Sequence, residues 1–166
     1  LEEWIEPMFA GQPVVFGPMR DALLRGAAAR MADIGGPLHP DQRSEIMFDL
    51  ILRSPLAAIS HAERAFLAAA IHHRYAKAPP RAAPAYERLL NEERRAAAAA
   101  LGAALRLGAD FSGRSPTLLA AADIEAVDGK LVLRVKKKVA DLATETAQRR
   151  LDAAAQALGL NPEMKV

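Results

Sequence analysis

The sequence predicts a mainly α, compact helical domain with one small β-hairpin before the C-terminal helix. Three observations carry this. Apolar residues recur at helical spacing over most of the 166 residues. Prolines fall at the joints between those stretches, where helices start or stop. The period drops to two only around Asp128 and Gly129, a dipeptide that signals a hairpin turn.

Leu1 to Phe9 reads as the end of a helix, broken by Pro7, Gly11 and Pro13. A second helix is expected from Pro18, a residue suited to the first turn, to Ile34, with Gly35, Gly36 and Pro37 ending it. Pro40 should open a third, with Ile46, Met47, Leu50 and Ile51 on its buried face and its end near Arg53. Ser60 and Glu63 then have the spacing of a capping box, in which each side chain takes the other residue's amide. The helix they start carries Ala62, Ala65, Phe66, Leu67, Ala69, Ala70 and Ile71, a face wide enough to be wrapped by other helices.

That helix ends in His72, His73, Arg74 and Lys77, and Pro79 and Pro80 stop it. Cations are favoured there by the negative end of the helix dipole, so the cluster fits an ordinary helix end as well as a site. Residues 78–84 read as a rigid proline-bearing connector. Asn91 can cap the longest helix, from Glu92 to about Phe111, where Arg106 stands four residues before Asp110. After the hairpin, with Leu131, Leu133 and Val135 alternating on its return strand, Lys136, Lys137 and Lys138 lead into the last helix. Its stripe should be Val139, Leu142, Ala143, Ala147, Leu151, Ala154 and Leu158, and Gly159 should end it.

Composition narrows the function. The net charge is +2, from 22 basic and 20 acidic side chains. That balance is too even for a dedicated nucleic-acid binder, so no nucleic-acid partner is expected and any polyanion site must be local. No apolar run approaches the roughly 20 residues of a membrane span, so no membrane partner is expected either. The absence of cysteine removes disulfide and thiol chemistry and suits a cytoplasmic location. The first residue is not methionine and its helix reads as already under way, so the chain is expected to be a piece of a longer protein.

The sequence lacks a Walker-type glycine loop, a dinucleotide fingerprint, a His-Glu-x-x-His motif and a nucleophile elbow. Asp33, Ile34 and Gly35 resemble the turn of the metal-dependent phosphohydrolases named for a His-Asp dipeptide. Here Ala32 stands where the histidine should, and alanine cannot ligate a metal. His72 and His73 are about 100° apart on a helix, a poor arrangement for chelating one ion. No metal site is expected.

Four stretches, taken in order, carry a more specific resemblance: Met31 to Gly35, Leu38 to Glu45, Ala68 to Tyr75 and Ala104 to Asp110. Followed by the hairpin at residues 129–134, they are similar to the C-terminal helical domain of the exopolyphosphatase / guanosine pentaphosphate phosphohydrolase family. The resemblance runs from about Trp4 to Leu158 and implies a degenerate relative of the His-Asp phosphohydrolases, filling residues 1–166 as one domain. It implies that the catalytic residues, and a divalent cation such as magnesium, belong to N-terminal actin-like domains. Neither catalytic residues nor a cofactor are therefore expected here.

The resemblance also implies a homodimer and a basic channel for polyphosphate or guanosine pentaphosphate. The matched basic positions are His72, His73, Arg74 and Arg106; with Lys77 and Arg81, whose charge could contribute, they are the polyanion-binding candidates. The expected function is thus a substrate-binding and dimerising domain whose parent hydrolyses phosphoanhydrides. The alternatives are a purely structural interaction module and a free-standing metal phosphohydrolase.

Overall fold

A computed structural model describes residues 1–81 and 86–166. The expected connector over residues 78–84 therefore lies partly outside the described residues. The chain forms two compact units, residues 14–102 and residues 1–13 with 103–166.

The first unit is helical: α2 (Pro18–Met31), α3 (Arg43–Arg53), α4 (His61–Tyr75) and the start of α5 (Glu92–Ser112). Helix α4 is its axis. The seven residues Ala65 to Ile71 are each at most 5% exposed, so neighbours surround the helix on every side. The capping box forms as its sequence requires: Glu63 N donates to Ser60 Oγ at 3.2 Å, and Ser60 N donates to Glu63 Oε2 at 2.8 Å. Small residues let a helix come close. Gly102 of α5 lies against Ala70 and His73, and a Cβ there would stand 2.4 Å from His73 Cβ.

Two helices sit differently from their expected registers. Helix α2 stops at Met31, and residues 32–37 form turns. Gly35 is needed there for close approach, since a Cβ would stand 2.7 Å from Met47 Cγ and 3.0 Å from Tyr75 Cε2. Helix α3 starts at Arg43 and buries Ser44, Met47, Phe48 and Ile51, an i, i+3, i+4, i+7 row. Ile46 and Leu50 were expected inside, but this row turns them out, 43% and 53% exposed. Met19 and Leu23 of α2 are exposed in the same way, while Leu24 and Ala28 are buried.

The second unit holds α1 (Glu2–Ile5), a 3-10 turn (Glu6–Phe9), the rest of α5, and α6 (Pro116–Leu119). Strands β1 (Ala122–Val127) and β2 (Lys130–Val135) follow, then α7 (Glu145–Leu158) and β3 (Asn161–Lys165). Asp128 and Gly129 both take positive φ, 49° and 72°, as a tight hairpin turn between right-twisted strands requires. The sheet has three strands, not two, because the chain after Gly159 runs back parallel to β2, with Leu131 opposite Pro162. Pro162 has no amide to give, and an edge strand tolerates that. Residues 137–142 make a 3-10 helix with Val139 off helical geometry, so α7 begins later than its apolar stripe suggests, at a Thr144 cap.

Trp4 ties this unit's ends together. Its indole stacks on Phe111, and Nε1 donates to Ala122 O at 2.8 Å. Trp4→Phe keeps the ring but leaves that carbonyl without its donor. The expected loss is about 1–2 kcal/mol, read as a lower guanidinium midpoint with an unchanged slope. An unshifted midpoint would show that water replaces the indole without cost. Among the described residues no helix is long and apolar enough to cross a membrane.

Candidate functional site

The C-terminal end of α4 gathers five of the six candidate residues: His72, His73, Arg74, Lys77 and Arg81. Arg106 belongs to the other unit. There its Nε lies 3.8 Å from Asp110 Oδ2, which also accepts from Arg150 Nε at 2.6 Å.

The two imidazoles lend no positive charge at neutral pH. His72 is 1% exposed, and Nε2 stands 3.1 Å from Glu45 Oε1, with Phe48 edge-on to the ring. Its burial lowers the pKa from the ordinary histidine value, with Glu45 acting in the opposite sense. His73 is lowered to about 4, by burial first and by His72 second. Below neutral pH both resist protonation, because burial takes the charged ring out of water.

Arginine supplies the charge that histidine does not. The Arg74 side chain is 5% exposed and reaches Asp33 Oδ1 at 3.5 Å. Its guanidinium carbon lies 5.0 Å from the centre of the Tyr75 ring. Arg43, at the start of α3, lies 4.9 Å from the same ring centre. The Tyr75 hydroxyl donates to Ala32 O at 2.7 Å and so fixes the ring against the turn that carries Asp33. Both carboxylate oxygens of Glu45 accept from Arg81 N, at 3.2 Å each, which pins the chain leaving α4 to α3. Lys77 and Arg81 are exposed, and neither side chain makes an ion pair among the described residues.

Arg43, Glu45 and Tyr75 thus complete the cluster, although the sequence reading gave them no role. The spacing of Arg43 and Glu45 shows only that they share a helix. Nothing local announces that they meet Tyr75 and His72, 32 and 27 residues away. At Asp33 the carboxylate is paired with an arginine rather than set among metal donors. Ala32 has no donor to give a metal, and an arginine already faces the carboxylate. Among the described residues no group of three or more His, Asp or Glu is placed to hold a metal ion.

A comparison with curated proteins gives no match. The family model described as "Exopolyphosphatase, C-terminal" matches residues 2–164. That span takes in both units, from the Trp4 anchor to β3, along with the turn at Ala32 and Asp33 and the basic end of α4. By this match the chain belongs to the exopolyphosphatase C-terminal domain family.

Proposed function

We propose that this chain is a non-catalytic substrate-binding and dimer-forming domain of an exopolyphosphatase-type hydrolase, with polyphosphate or guanosine pentaphosphate as the ligand. The observation that carries the reading is the excess of cations at the end of α4. Lys77 and Arg81 are exposed and, among the described residues, without carboxylate partners. They follow Arg74 in the chain, whose neighbour Tyr75 also faces Arg43. A polyphosphate chain offers repeated charge and little shape. Cations free to exchange their counterions for phosphate oxygens are the chemistry that holds it. In this reading catalysis, its divalent cation such as magnesium, and the actin-like domains lie outside the chain, and the parent is cytoplasmic. A free-standing metal phosphohydrolase has no support from the side chains around Asp33.

The test is a titration of the purified chain with short and long polyphosphate at low and moderate salt. Affinity is expected to rise with chain length and to fall steeply with salt. The Lys77→Ala, Arg81→Ala double variant should flatten the salt slope by roughly 0.7 per cation removed. No binding at low salt overturns the ligand.

The exposed apolar side chains favour the dimer-forming part. Met19 is 87% exposed, and Ile46 and Leu50 of α3 follow one another by a helical turn. Sedimentation that finds only monomer at high concentration would remove dimerisation from the proposal.

A further inference from the structure

We infer that Arg43 is the side chain that grips an individual phosphoryl group at this cluster, through a two-pronged guanidinium contact made while it lies over the Tyr75 ring. This rests on the polyanion reading above and deepens it, by naming one residue and its mode of contact.

Arg43 is half-buried and lies over the Tyr75 ring, yet among the described residues its side chain makes no ion pair and no hydrogen bond. Its Nε is fully shielded from solvent and meets no acceptor. A guanidinium in such a place normally meets a carboxylate, because a donor taken from water without an acceptor is costly. The nearest carboxylate along the helix, Glu45, is already occupied by His72 and by Arg81 N. No described residue supplies that acceptor, and in this inference a ligand's oxygens meet the remaining N–H groups of the guanidinium.

The chemistry selects an oxyanion. A guanidinium held over an aromatic ring still offers its terminal N–H groups as a fork, which fits two oxygens of one phosphoryl group. Tyr75 is held by its bond to Ala32 O and by the close contact with Gly35, so the platform is fixed before any ligand arrives. Arg74 lies within 5.0 Å of the same ring centre and adds a second positive group. A preorganised fork loses little side-chain entropy on binding, which distinguishes it from the exposed Lys77.

The experiment compares Arg43→Lys and Arg43→Gln with the unaltered chain, using tripolyphosphate and long-chain polyphosphate at low salt. Circular dichroism melts check that each variant is folded. Both variants are expected to bind tripolyphosphate about tenfold more weakly, since lysine keeps the charge and the stem but not the fork. If Arg43→Lys binds as tightly as the unaltered chain, Arg43 is only a point charge and the inference falls. If both Arg43 variants bind normally while the Lys77→Ala, Arg81→Ala variant does not, the polyanion reading stands without this inference. If the unaltered chain binds neither ligand, both are overturned.

Discussion

Gly102→Ala is expected to destabilise the chain by about 3 kcal/mol, the reverse of what helix propensity alone predicts. In the middle of a helix alanine is favoured over glycine by about 1 kcal/mol. Here the added Cβ would lie 2.4 Å from His73 Cβ, 2.6 Å from Ala70 O and 2.8 Å from His73 C. The last two are backbone atoms of α4. That helix is buried on every side between Ala65 and Ile71, so it cannot step back without opening other contacts. The clash therefore outweighs the propensity gain. Urea unfolding reads the result as a lower midpoint at unchanged slope, and a variant as stable as the parent would show that α4 and α5 can part freely. Gly108→Ala is the natural control. Its nearest neighbours are the tip of Leu1 at 2.6 Å and the Trp4 ring, which are side-chain atoms able to shift, so a smaller loss is expected.

Gly102 also shows where sequence reading stops. Helices α2, α3, α4, α5 and α7 were legible from period, caps and breakers, and the caps at Ser60 and Asn91 fall where their spacing puts them. Those features depend on residues a few positions apart. Which face each helix buries was harder. In α3 two apolar pairs compete, and only packing against α4 decides that Met47 and Ile51 go in while Ile46 and Leu50 stay out. Strand β3 was missed because Asn161 to Lys165 carries no alternation of its own. It is a strand only because β2 offers a free edge.

The candidate site divides along the same line. The sequence shows His72 to Arg74 as a run at a helix end, and it marks all three as basic. It does not show that the helix turns His72 and Arg74 inward, nor that burial leaves the imidazoles neutral. Arg43 enters only through the packing of α3 on α4, a contact no local pattern encodes. Charge on the page and charge in the fold are different quantities, because pKa depends on what surrounds the group.

The second large effect is expected at Glu63, where one carboxylate closes the cap of α4 and pairs with α2. Oε2 accepts from Ser60 N at 2.8 Å, and Oε1 accepts from Arg20 Nε at 2.6 Å. Arg20 in turn donates from Nη2 to Ala58 O, a residue held at a φ of 57°. The hydrogen bond from Arg20 is the main reason the Glu63 pKa falls to about 2, against a desolvation that pushes it up. The folded value lies below the unfolded one, so the folded state holds its proton less tightly. The stabilisation is then complete above the ordinary glutamate pKa and is lost as pH falls from about 5 towards 2. Thermal melts across that window should show a steep fall for the unaltered chain. Glu63→Gln keeps an oxygen for Ser60 N but loses the charge facing Arg20. It should cost about 2 kcal/mol at neutral pH and flatten the acid slope. Glu163 is also lowered to about 2, by Lys130 first and Lys165 second, and its contribution has the same sign. That pairing is open to solvent, so half-molar salt should erase its share while leaving the Glu63 share in place. An acid slope in Glu63→Gln as steep as in the parent would place the acid lability elsewhere and reduce Glu63 to an ordinary helix cap.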